Sequence, residues 1–210
     1  MSNPTTRDDS SREQSPRPER WRTFVAIPLP PEIQTALAGL QRRLAPHHAR
    51  TIRWLEPGSM HLTMRFLGGI DPEVAPDIAR EIGEAAASTG RFQLRMAGTG
   101  TFPAKGRPKV VWVGIEGEVK RLERLRARVE GALSRVGFEP EERPFLPHVT
   151  LGRIKQEVEP PSDWRAGQAF QRLNLAGPAL EYAVDRVTLF RSHMDHQGVT
   201  YEALSESPLS

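Results

Sequence analysis

HLTMRFLG (residues 61–68) and PFLPHVTLGR (residues 144–153) share a four-residue pattern: His, apolar, Thr, apolar. Side chains alternate across a β-strand, so His61, Thr63 and Arg65 are expected on one face and Leu62, Met64 and Phe66 on the other. In the second copy His148 and Thr150 share a face, and Val149 and Leu151 anchor the strand in a core. Each strand is thus fixed on one side and presents an imidazole and a hydroxyl on the other.

Around these strands, WRTFVAIPL from Trp21 reads as a buried strand. PPEIQTALAGLQRRL follows as a helix with Pro31 in its first turn and Ile33, Leu37, Leu40 and Leu44 as its apolar stripe. TIRWL is strand-like and is separated from MHLTMRF by the turn signal Glu56-Pro57-Gly58-Ser59. A second helix is expected from Val74 to Ala87, with Val74, Ile78, Ile82 and Ala85 inward. FQLRMAG and KVVWVGI read as strands joined by the loop TGTFPAKGRP, and residues 118–136 as a helix. A short helix is expected near residues 162–173, and DRVTLFRS and VTYEAL as closing, paired strands.

Strands in pairs between helices argue for an α+β fold with largely antiparallel sheets. The two motifs occupy comparable places, which predicts two pseudo-symmetric lobes with outer helices around a central cleft, one motif strand from each. Residues 1–19 are rich in Ser, Arg, Pro and acids and nearly free of large apolar side chains, so a disordered tail is expected there. Residues 20–206 are expected to form the single bilobal domain.

Composition narrows the chemistry. The chain has no Cys, which excludes disulfides, thiolate nucleophiles and Cys-ligated zinc and suits a cytoplasmic location. No apolar run approaches the roughly 18 residues of a membrane span. Of the 29 basic residues 25 are Arg, set against 26 acids, for a net charge of +3 and a pI of about 9.7. That balance permits a nucleic-acid partner without demanding one. His47-His48 and His193/His196 lack the acid or Cys partners of a metal site.

Imidazole titrates near 6.5, so of two histidines one can act as base while the other acts as acid. Placed on opposite sides of a phosphorus they suit an in-line displacement that requires no metal or other cofactor. Thr hydroxyls two residues along can donate to the non-bridging oxygens, where charge accumulates.

HLTMRFLG, TFPAKGRPKVVWVG, PFLPHVTLGR and the late LFRS and GVTYEAL segments occur in an order that resembles the RNA 2′,3′-cyclic phosphodiesterases, or 2′-5′ RNA ligase-like proteins, among the two-histidine phosphoesterases. The resemblance implies a bilobal α+β fold and metal-independent hydrolysis of RNA 2′,3′-cyclic phosphate ends to 2′-phosphates. The reverse direction would join such an end to a hydroxyl. Carried onto this chain, His61 and His148 are catalytic, and Thr63 and Thr150 orient the phosphate. His148 is assigned to activating water and His61 to protonating O3′, with the opposite assignment left open by the near-symmetry. Arg153 matches an arginine that reaches the phosphate, but strict alternation from His148 turns it away, so a bulge or strand end is required. Arg65, in phase with His61, is a second phosphate candidate. Phe24 and Arg107 are candidate substrate contacts: Phe24 stacks a base if its side faces the cleft and is otherwise core, and Arg107 sits in a loop that is either a structured turn or an RNA-contacting lip. Leu146 stands where the family often has a basic residue. A monomer acting on RNA ends is expected; a non-catalytic RNA-end module, or the same chemistry on small cyclic nucleotides or 2′-5′ oligonucleotides, stays open.

Overall fold

The computed structural model describes residues 19–48, 50–155, 170, 180–194 and 199–210. Two antiparallel halves make up its sheet. One half contains β1 (Trp21–Pro28), β3 (His61–Ile70), β8 (Arg186–Met194) and β9 (Val199–Pro208). The other contains β2 (Ile52–Trp54), β4 (Phe92–Phe102), β5 (Val110–Gly117), β6 (His148–Ile154) and β7 (Leu180–Val184). The path runs β7-β4-β5-β6-β3-β1-β8-β9, with β2 on β6. The halves meet through one pair, Leu62 on β3 opposite Val149 on β6. Chain order and lobe order differ, because the chain crosses between the halves after β1, β2, β3 and β7.

Among the described residues the helices are α1 (Pro31–His48), α2 (Ala75–Ala87) and α3 (Val119–Arg135), with Phe170 in a further helical stretch. α2 packs on α3 and against β8 and β9, and α1 packs against β2 and β7. On α1 the buried positions are Ile33, Leu37, Ala38, Leu40 and Gln41. Leu62 and Val149, the joining pair, are both 0% exposed. Burying a side chain of this kind contributes about 1.5–3 kcal/mol, so the seam between the lobes is also part of the core.

Several expectations change. The second helix begins with a 3-10 turn at Pro72–Val74, where the Asp71 side chain accepts from the Glu73 N–H, and Val74 is exposed instead of inward. β4 continues through Phe102, so the first four residues of the expected loop are strand and residues 103–109 connect it to β5. β7 was not foreseen as a separate strand. The expected helix near 162–173 lies outside the described residues except for Phe170. The domain also reaches past 206: Ser207 and Leu209 are buried, and the Leu209 N–H donates to the Asp185 carbonyl at 2.7 Å. At the other edge, Glu19 pairs with Arg191 at 2.6 Å, within the span expected to be tail.

Candidate active site

His61 and His148 are each the first residue of their strand. The Leu62–Val149 pair sets the antiparallel register around them. It brings His61 alongside Thr150, and Thr63 alongside His148, on the face opposite the core. Diagonal neighbours in such a ladder lie about 7–8 Å apart, which leaves room for a phosphate group between the two rings.

The histidines are held alike. His61 Nδ1 lies 2.9 Å from the Ser59 carbonyl and His148 Nδ1 lies 2.7 Å from the Leu146 carbonyl, in both cases two residues upstream. A carbonyl only accepts, so Nδ1 carries the proton and donates. In the neutral ring Nε2 is then the free base.

Their surroundings differ. The His61 ring stacks on Phe24 with centroids 4.6 Å apart, is 6.0 Å from Phe190, and meets Tyr201 edge-on at 5.1 Å. His148 meets Phe102 edge-on at 4.8 Å, with Trp112 at 6.3 Å. Burial pushes His61 down to about 4; the Ser59 carbonyl opposes this, and the charge of His148 adds to it. Burial also holds His148 below 6.5, against the pull of the Leu146 carbonyl. Loss of hydration disfavours the imidazolium, most where aromatic rings surround it.

Beyond each Thr the alternation breaks. Thr63 lies opposite Ala26 and Arg65 opposite Val25, so Met64 is an extra residue. Thr150 lies opposite Trp112 and Gly152 opposite Val111, so Leu151 is extra. Both motifs therefore carry a β-bulge at their fourth position, and the residue after it changes face. Arg65 turns to the side of Val25 and α3 and is not available to a phosphate. It forms ion pairs with Glu141 at 3.2 Å and Glu130 at 3.7 Å, and donates to the Glu139 carbonyl at 2.5 Å. Phe66, expected in the core, is 63% exposed on the cleft face, 5.9 Å from Phe24. Arg153 follows the second bulge onto the side of Val110 and Trp112, which is the face of His148.

Phe24 cannot stack a base, because it is 2% exposed and its face already carries the His61 ring. Thr63 and Thr150 are half-buried on the cleft face. Arg107 lies with Arg153 on a basic cavity at the end of β6. Leu146 is 59% exposed and borders a second cavity of about 330 Å³ beside His148. His193 does have an acid partner, Glu202 at 2.7 Å, on exposed strand edges; His196 lies outside the described residues. No group of three or more His, Asp or Glu among the described residues is arranged to hold a metal ion.

Sequence reasoning missed three residues. Gln41 of α1 donates to the Leu151 carbonyl at 2.9 Å and the Leu55 carbonyl at 2.8 Å. Its donation fixes the bulge that aims Arg153. Arg126 of α3 does the same for the other bulge, donating to the Met64 carbonyl at 3.4 Å. The signal for Gln41 was present, since Ile33, Leu37 and Gln41 follow a four-residue spacing and a polar side chain in such a stripe needs a buried acceptor. The third is Tyr201, whose ring meets His61 edge-on at 5.1 Å and whose phenol is pushed up by burial, with the charge of Arg153 opposing.

Residues 29–196 match the 2′-5′ RNA ligase superfamily. The RNA 2′,3′-cyclic phosphodiesterase of Aeropyrum pernix is 36% identical over 172 residues, covering 81% of this chain and 93% of that protein. Its namesake from Thermotoga maritima is 31% identical, with 88% and 94% covered. The solved structure of E. coli LigT with 3′-AMP superposes with a TM-score of 0.71 at 27% identity, covering 91% of this chain and 99% of that one. A fold shared along nearly the whole of both chains, over a doubled histidine motif held in matching geometry, shows that this chain belongs to the 2′-5′ RNA ligase superfamily.

Proposed function

We propose that the chain hydrolyses RNA 2′,3′-cyclic phosphate ends to 2′-phosphates by acid–base catalysis between His61 and His148. The observation that carries this reading is the matched tautomer lock, which leaves Nε2 of both rings as the reactive nitrogen at one gap. The relatives' names supply the substrate class.

The deeper and more aromatic setting of His61 means that a single proton shared by the pair resides on His148. That favours the reverse of the sequence-based assignment. His61 Nε2 accepts a proton from water as its oxygen bonds to phosphorus; the P–O3′ bond breaks; and O3′ takes the proton from His148 Nε2. Thr63 and Thr150 hydroxyls donate to the non-bridging oxygens, and Arg153 offsets their charge. A 5′-hydroxyl in place of water would form a 2′-5′ phosphodiester by the same steps. The enzyme works as a cytoplasmic monomer without metal or cofactor, and residues before the domain are dispensable for turnover.

The test is an EDTA-containing assay on an oligoribonucleotide ending in 2′,3′-cyclic phosphate, with the product read by mass spectrometry and phosphatase sensitivity. A 2′-phosphate made by the wild type and lost in both His61→Ala and His148→Ala is expected. Wild-type turnover in either variant, or activity that returns only with a divalent ion, would overturn the mechanism. Binding without turnover would make the chain an RNA-end module.

A further inference from the structure

Past Arg153 the cleft face of β6 opens into a cavity of about 840 Å³. Among the described residues its lining includes Arg53, Arg107, Lys109, Arg153 and Lys155, and no carboxylate. Arg53 stands directly opposite Arg153 across β2 and β6, on the same face. Like charges in opposed positions destabilise a sheet. Elsewhere the fold neutralises a comparable arginine, as Arg65 is held between Glu130 and Glu141. Among the described residues no carboxylate is ion-paired to Arg53, Lys109 or Arg153. A cationic concavity of this kind gains most from a polyanion whose counterions are released on binding.

We infer that this cavity is a second phosphate subsite, which holds phosphodiesters upstream of the cyclic end and makes an oligoribonucleotide, not a mononucleotide, the preferred substrate. The inference rests on the function proposed above and extends it to residues outside the catalytic gap. A strand rises about 3.3 Å per residue, so Arg53, opposite Arg153 on the outer strand β2, has its backbone up to roughly 16 Å along β6 from His148, while the Arg153 side chain can reach back to the gap. Arg53 is thus beyond the terminal phosphate and within reach of the next one or two phosphodiesters. Arg153 shares the face of His148 and stands directly opposite Arg53, so it joins the catalytic face to the cavity. Pro108 and Ile154 give the cavity an apolar part against which the sugar-phosphate chain can lie.

The experiment compares kcat/KM on uridine 2′,3′-cyclic monophosphate and on a hexaribonucleotide with the same cyclic end, over a salt series. Wild type, an Arg53→Gln/Lys109→Gln double variant, and Arg124→Gln on the exposed side of α3 are assayed together. The wild type should favour the hexamer. The double variant should lower the hexamer-to-monomer ratio by on the order of tenfold and reduce the log–log salt slope by roughly 0.7 per charge removed. Arg124→Gln should leave the ratio unchanged. An unchanged ratio in the double variant, an equal loss on both substrates, or an equal effect of Arg124→Gln would each overturn the subsite. Fluorescence anisotropy with a labelled hexamer ending in 2′-phosphate separates the two readings. Salt-dependent binding weakened in the double variant, with no turnover of either substrate by wild type, would keep the subsite and remove the hydrolase reading.

Discussion

β3 and β6 are built alike through their first four motif residues and then diverge. Each starts at a histidine whose Nδ1 is held by the carbonyl two residues before it. Each bulges after its threonine, and a helix side chain captures the bulged carbonyl, Arg126 for Met64 and Gln41 for Leu151. The next two positions hold Arg65 and Phe66 in one strand but Gly152 and Arg153 in the other. The same backbone deviation therefore turns one arginine into the helix layer and aims the other at the cleft. Gly152 suits its place, since a Cβ there would come within 2.7 Å of Ile52. Symmetry of scaffold supplies an acid and a base. The side chains that break the symmetry put the fixed positive charge on one side of the gap.

The symmetric part should be the most sensitive. His61→Ala and His148→Ala are each expected to lose about 10² to 10⁴ in kcat. A cyclic substrate with sulfur at the 3′ position tests the direction, because a thiolate leaves without a proton. It should rescue His148→Ala and not His61→Ala; rescue of His61→Ala instead would restore the opposite assignment.

The diverging positions come next. Arg153→Ala should lower kcat/KM by on the order of 10- to 100-fold, the scale of a charged hydrogen bond, with little change in thermal stability. Arg65→Ala should do the opposite, costing about 1–3 kcal/mol in urea unfolding by removing the charged donor to the Glu139 carbonyl and one of the two arginine partners of Glu130 and of Glu141, with turnover near wild type. If Arg65→Ala proved the more damaging to catalysis, the account of the two bulges would be wrong.

Gln41→Leu leaves the Leu55 carbonyl without its Gln41 donor and the bulged Leu151 carbonyl with only the Leu55 N–H. A loss of about 1–3 kcal/mol in stability is expected, together with a smaller fall in kcat/KM than Arg153→Ala gives. Stability lost with kcat/KM unchanged would mean that the bulge holds without it.

The smallest effect expected is on pH dependence. The base must be unprotonated, so kcat/KM rises with pH as His61 passes about 4. The acid must be protonated, so kcat/KM falls as His148 deprotonates below 6.5. The bell should sit on the acid side of an ordinary histidine, with its limbs belonging to the coupled pair. Phe24→Ala would hydrate His61 and move the acidic limb upward; a fixed limb would show that the stack does not set it.

Much of this was legible along the chain. The doubled motif, the strands pairing at the C-terminus, and the inward stripes of α1 and α3 all follow from local periodicity. Phe66 and Arg65 misled for one reason, since alternation was extended through a bulge. A bulge is an extra residue relative to a partner strand, and neither β1 nor β5 is a sequence neighbour of the motif that faces it. For Arg153 the sequence posed the problem correctly, requiring a break in alternation, but could not locate it. For Phe24 the sequence left core and cleft open; that it is buried with the His61 ring on its face depends on β1 and β3 packing together.

The sequence by itself determined which residues carry the chemistry and how each motif presents them, because a strand's period of two acts over adjacent residues. The tertiary structure decided the rest. It set which arginine meets the cleft, which histidine sits deeper among aromatic rings, and which cations gather past β6. Register, burial and charge clustering are relations between segments far apart in the chain, and they take values only once those segments are packed.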